Sequence, residues 1–187
     1  MPRSDRRRFH AKDDRPEVRY LVYQCLSRLE FKAQFIVARK IERVFRNSLH
    51  AREGEFYDHL VSLLFKNVLH RHARNRIYFS QRGSRTRQAN LEQAIRRGVG
   101  EFEERWHTKV ETEIRVDPQT GVGEPCLQVI DYMNWAVYRA FVKREMQYYR
   151  FVEDKVSLLV DLYDIARYPK NWYNRDNPFD IEKASPL

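Results

Sequence analysis

Asp131 is the carboxylate whose setting demands most of its neighbours. It falls among Leu127, Ile130, Asn134 and Tyr138 at the spacing of one helical face, where an unpaired charge is costly. A cation or a metal ion would relieve that cost. So would the dipole at the start of its own helix, helped by a hydrogen bond to a neighbour such as Gln128. Two-metal phosphodiester cleavage needs several carboxylates converging on ions about 4 Å apart, and one Asp does not suffice. The first two strand-like runs end in Arg39, Lys40 and Ser80, Gln81. The strand ends at which an α/β sheet presents its ligands therefore hold no acid, and Glu42 and Glu124 contribute only if loops turn them inward.

A second group suits phosphate. In RGSRTR, Arg82, Gly83, Ser84, Arg85 and Arg87 combine a glycine, a hydroxyl cap and arginines at a helix start, where free N–H groups and the dipole favour anions. These five are the candidate nucleic-acid-binding residues; an ordinary capped turn with a solvated basic face is the alternative. The aromatic run Tyr132, Trp135, Tyr138, Phe141, Tyr148, Tyr149 and Phe151 could stack bases, although its helical spacing favours core packing. Cys25 and Cys126 lie in no ligand spacing, and His70 and His72, two apart, do not share a helical face. A disulfide framework or structural zinc is not expected.

The composition points to the same partner class. In 187 residues, 35 Lys and Arg stand against 26 Asp and Glu, a formal charge of +9, which favours nucleic acid. Arginines crowd residues 3–8 and 82–97. No apolar run approaches the roughly 18 residues of a membrane span, and the arginine-rich start lacks the apolar stretch of a secretory signal, so a cytoplasmic, bacterial-type location is expected.

The elements that must position these residues follow from periodicity. Residues 1–9 read as a basic disordered arm. Asp14 as cap, Pro16 in the first turn and Glu17 predict a helix start, and Val18, Leu21, Val22, Cys25, Leu26 and Leu29 form its apolar face, which places Cys25 in the core. Phe31–Ala38 reads as a central strand. Asn47–Gly54 breaks the pattern, and Phe56, Leu60, Leu63, Leu64 and Val68 mark a second helix. Ile77–Phe79 is a strand, followed by a helix that starts after Ser84 and is weakened by Gly98 and Gly100. The alternation Val110, Thr112, Ile114, Val116 is an outer strand, and Asp117–Gly123 a turn. Pro125 opens a helix with Leu127, Ile130, Asn134, Val137, Tyr138 and Phe141 on one side. Tyr149, Val152, Val156, Leu159 and Val160 suggest a fifth helix, and residues 167–187 an extended tail. The expectation is one α/β layered domain over residues 10–166, three strands flanked by about five helices.

Three segments, FHAKDDRPEVR (9–19), IYFSQRGSRTRQ (77–88) and EPCLQVIDYMNWAVYRAF (124–141), carry a resemblance to the bacterial and mobile-element family called domain of unknown function 3800, over roughly residues 9–160. The resemblance implies an RNase H-like fold. It implies that Asp131 is a metal ligand and catalytic carboxylate of a Mg²⁺- or Mn²⁺-dependent nuclease. Members typically open with a strand carrying YxDESG, which has no counterpart here, so the chain is expected to be an N-terminally truncated, catalytically incomplete member. A non-catalytic nucleic-acid-binding or assembly module, or a fragment without function, is the alternative. An exposed strand edge would suit a homodimer or a complementing chain.

Overall fold

The structure, a computed structural model, describes residues 8–39, 41, 46, 52–80 and 85–186, with Arg85–Arg87 described in backbone only. Two compact units divide the chain. Unit 1 takes both ends, up to Arg39 and from Thr120 onward; unit 2 is Lys40–Gln119. The architecture is mixed α/β, but the described residues hold five strands in two separate sheets where three strands were expected.

Unit 1 opens with α1 (Pro16–Arg28), whose first position is a proline, as its fixed φ favours. The expected Asp14 cap does not form: the helix has no side-chain cap. Asp14 instead accepts from the His10 backbone N–H at 2.8 Å and the Tyr132 hydroxyl at 2.5 Å. The buried face also differs. Tyr23 and Leu26 are the buried residues, whereas Leu21 is 63% exposed and Cys25 lies in solvent. The Tyr23 hydroxyl donates to the Tyr132 carbonyl at 2.8 Å. An aromatic ring with its own hydrogen-bond partner thus sets the rotation of α1, displacing the leucine stripe by about a residue.

After β1 (Ala33–Ala38), the chain of unit 1 resumes with α4 (Cys126–Lys143), the short α5 (Gln147–Arg150), β4 (Val156–Leu162) and β5 (Trp172–Tyr173). β1 pairs in parallel with β4, and β4 antiparallel with β5. Among the described residues β1 has no strand on its other edge. The expected fifth helix is corrected here: Tyr149 and Val152 belong to short helical turns, and the run VSLLVDL forms the strand β4. A seven-residue run rich in Val and Leu suits a buried strand, and the i, i+3, i+7 coincidence with the preceding turns mimics a helix. On α4 the buried residues are Tyr132, Met133, Ala136, Val137, Ala140 and Phe141, while Ile130 and Tyr138 are exposed. Of residues 167–187, expected as a tail, the described ones pack back. Phe179 lies within 5.1 Å, centroid to centroid, of Phe141, Tyr149 and Tyr173, and Tyr173, Phe179, Ile181 and Ala184 are core.

Unit 2 holds α2 (Glu53–Phe65), β2 (Arg74–Ser80), α3 (Arg85–Trp106) and β3 (Glu113–Gln119). β2 and β3 pair in parallel from Arg74↔Glu113 to Ser80↔Gln119, so Asp117–Gln119 is strand and not turn. Val61, Leu69, Leu91, Ala94 and Ile95 form the core with Ile77, Phe79, Ile114 and Val116 against it. The alternation of β2 and β3 thus turns one face inward and leaves Arg74, Arg76, Tyr78 and Arg115 on the other. Of the break expected at Asn47–Gly54, Glu53 and Gly54 already belong to α2, while residues 47–51 and Ser84 lie outside the described residues.

Gly98 does not weaken α3. Its missing side chain is what the packing requires, because a Cβ there would stand 2.7 Å from the Ser62 carbonyl oxygen of α2, whereas a Cβ at Gly100 meets nothing within 4 Å. Gly98→Ala is expected to destabilise the protein by about 1–3 kcal/mol through overpacking, and Gly100→Ala to stabilise it by up to about 1 kcal/mol through helix propensity. Chemical denaturation of the two variants checks the opposite signs.

Candidate functional site

Asp131 lies in the second turn of α4, one residue before the buried Tyr132. Its side chain is one-third exposed, less buried than its sequence neighbours implied. Oδ2 accepts the Ala11 N–H at 2.9 Å, and Oδ1 is 3.8 Å from His10 Nε2. The segment before α1 is therefore tied to the start of α4 at several points. Phe9 N–H donates to Gln128 Oε1 at 2.8 Å, and Gln128 Nε2 in turn donates to the Gly121 carbonyl at 2.6 Å. His10 Nδ1 also stands 3.4 Å from Asp13. The FHAKDD and LQVIDY motifs, far apart in sequence, meet here.

This cluster brings Asp13, Asp14 and Asp131 near one histidine, and Asp14 Oδ2 and Asp131 Oδ2 already accept N–H or O–H donors. Among the described residues no group of three His, Cys, Asp or Glu is placed to hold a metal ion. As arranged, the cluster offers no ready-made metal shell among the described residues, and no step is routed through one. Its evident work is to fasten residues 9–14. Glu124, the other candidate acid in unit 1, accepts the Cys126 N–H at 3.1 Å and caps its own helix start.

Acids do stand at the carboxyl end of the parallel strands, where the sequence appeared to offer none. Asp161 closes β4 beside Arg39, which follows β1, and is fully buried; Asp164, two residues past the strand, is nearly so. Arg39 donates to both oxygens of Asp161 at 3.0 and 2.6 Å. Its remaining donors reach the Ser185 and Pro186 carbonyls at 2.8 and 2.7 Å. Asp164 accepts from the Ser185 N–H at 3.0 Å and hydroxyl at 2.8 Å. Burial raises the Asp161 carboxyl, a push that Arg39 counters incompletely; Asp164 is also desolvated, but the two Ser185 donors hold it low. Reading 156–162 as a helix concealed both acids. Each is consumed by internal bonds, so the network locks the C-terminal segment onto the sheet.

In unit 2 the exposed face of β2 and β3 is arginine-bearing. Arg76 stands directly opposite Arg115 in the register, a like-charge pair that costs stability. Asp117 relieves it, lying 2.9 Å from Arg76 Nε and 3.1 Å from Arg115 Nε. Its carboxyl is held below the usual range, chiefly by the Arg76 hydrogen bond. The Arg76 guanidinium also lies 5.1 Å from the Tyr78 ring centroid. Arg115 and Arg96 of α3 line one shallow cavity of about 210 Å³ with Glu92, Ile114 and Val116. Of the candidate phosphate residues, Arg82, Gly83 and Ser84 lie outside the described residues, and Arg85 and Arg87 occupy the first turn of α3. Sequence reading missed Arg76 and Arg115, although their i and i+2 alternation with core residues was the available signal.

Compared with family models, with curated proteins and with solved structures, the chain matches none. Among the described residues no helix is long and apolar enough to cross a membrane.

The Arg39 network makes a directional prediction. Asp161→Asn leaves a guanidinium that is 13% exposed with Asp164, at 3.4 Å, as its counter-charge, and should cost about 1–3 kcal/mol in denaturation at neutral pH. Arg39→Met instead strands Asp161, whose carboxyl then rises further. A group raised in the folded state gives stability that is present at low pH and lost as pH rises, so this variant should be least destabilised near pH 4 and most at pH 7. A loss independent of pH would contradict the assignment.

Proposed function

We propose that this chain is a nucleic-acid-binding protein that grips phosphate through the solvent face of unit 2. The observation that carries the reading is the opposed pair Arg76 and Arg115, like charges held side by side on an exposed two-stranded sheet, with Arg96 sharing a cavity with Arg115. The single carboxylate of Asp117 shared by the two guanidiniums leaves the group net positive, as contact with a polyanion requires. The helix start at Arg85 and Arg87, and the +9 charge of the chain, support the same partner. Binding through such contacts releases counterions, so affinity falls with salt. The double variant Arg76→Ala, Arg115→Ala should weaken binding of duplex and single strands alike. It should also flatten the slope of log K against log salt by about 2 for duplex DNA, read by fluorescence anisotropy. An unchanged slope would remove this face from the interface.

A second reading is an RNase H-like, Mg²⁺- or Mn²⁺-dependent nuclease acting at Asp131. One observation favours it: two of the three segments that carry the family resemblance converge at that carboxylate through the Ala11 N–H bond. In this reading any cleavage of labelled DNA or RNA in Mg²⁺ or Mn²⁺ is lost in Asp131→Asn, with the folded state verified by its melt. Equal cleavage by the variant and the parent would exclude Asp131 from the reaction.

A further inference from the structure

Trp135 and Tyr138, nearly one turn apart on α4, stack with ring centroids 5.6 Å apart and planes inclined by 29°. Unlike Tyr132, Phe141 and Tyr149, which are core, Tyr138 is 43% exposed. Two guanidiniums lie over the indole, Arg19 of α1 at 5.6 Å and Arg139 of α4 at 5.4 Å from its centroid. Arg139 is neutralised by Glu145. Arg19 is hydrogen-bonded to neutral groups, the Asp14 carbonyl at 2.9 Å and the Tyr148 hydroxyl at 3.5 Å, and among the described residues no carboxylate is ion-paired with it. The Trp135 indole N–H is buried and has no acceptor among the described residues.

One face of unit 1 therefore presents an exposed tyrosine ring stacked on Trp135 and a cation without a counter-carboxylate. We propose that this face binds single-stranded nucleic acid, with a base continuing the stack on Tyr138 and a neighbouring phosphate drawn to Arg19. The charge is complementary to a polyanion, and ring stacking accepts any base. Duplex bases are already stacked on one another and do not reach the rings, so the surface selects single strands. The proposal shares its partner class with the reading above but uses different residues in the other unit.

The chain has three tryptophans. In a full-length background carrying Trp106→Phe and Trp172→Phe, Trp135 alone reports, and it is titrated with an oligothymidylate and with a duplex of equal length. The oligothymidylate should quench Trp135 and the duplex should not. Tyr138→Leu and Arg19→Gln should each weaken oligothymidylate binding by about 5-fold or more, with thermal melts showing that both variants fold. The Arg76→Ala, Arg115→Ala pair should weaken binding of both nucleic acids while leaving quenching at saturation intact. Absence of quenching, equal quenching by duplex, or unchanged affinity in both folded Tyr138 and Arg19 variants would overturn the proposal. Quenching that is insensitive to the unit 2 arginines would sustain it and remove the unit 2 reading instead.

Discussion

Buried charge fixes unit 1 more strictly than any apolar contact. Arg39 and Asp161 are 122 positions apart, yet they join the ends of two adjacent parallel strands through a two-point hydrogen bond. Asp161 has no exposure to water, and an isolated carboxylate there would be several kcal/mol out of balance. The pair thus pins the end of the β1–β4 register. It also recruits residues 185 and 186, whose carbonyls complete the guanidinium's hydrogen bonds. The aromatic cluster around Phe179 works in the same direction, each ring pair adding about 0.5–1.5 kcal/mol beyond area.

This use of charge shapes what is left for function. The carboxyl end of a parallel sheet is a common ligand position, but here its acids and its arginine are committed to one another and to Ser185. Asp131 is similarly occupied in holding residues 9–14. The proposed polyanion contacts fall instead on surface groups, the Arg76 and Arg115 row in unit 2 and the Arg19, Trp135 and Tyr138 stack in unit 1. Both sets sit on regular secondary structure, which places them more firmly than loops would.

The sequence announced the positions of most elements more clearly than their faces. α1, β1, β2 and α4 lie close to where periodicity put them, because apolar spacing and Pro or Gly punctuation are local signals; β1, however, expected as central, is an edge strand among the described residues, and β3 runs past Val116 to Gln119. The inward faces of α1 and α4 were misplaced, since Tyr23 and Tyr132 outcompete aliphatic residues once their hydroxyls find partners, and no local pattern reports a partner more than a hundred residues away. β4 was hidden by an accidental helical spacing, and with it the acids Asp161 and Asp164. The contact between FHAKDD and Asp131 is likewise long-range. Arg76 and Arg115 were legible in principle from strand alternation, but their opposition depends on the pairing register, which single-strand patterns do not specify.

The most direct measurement is a two-dimensional ¹⁵N correlation spectrum of the full chain, recorded with arginine Nε and indole resonances during addition of an unlabelled oligothymidylate. The account predicts that the Arg76 and Arg115 Nε–H signals and the Trp135 indole move together with ligand, while the indoles of Trp106 and Trp172 and the Arg39 Nε–H stay in place. Perturbation centred on Arg39, or no movement at Arg76, Arg115 and Trp135, would contradict it.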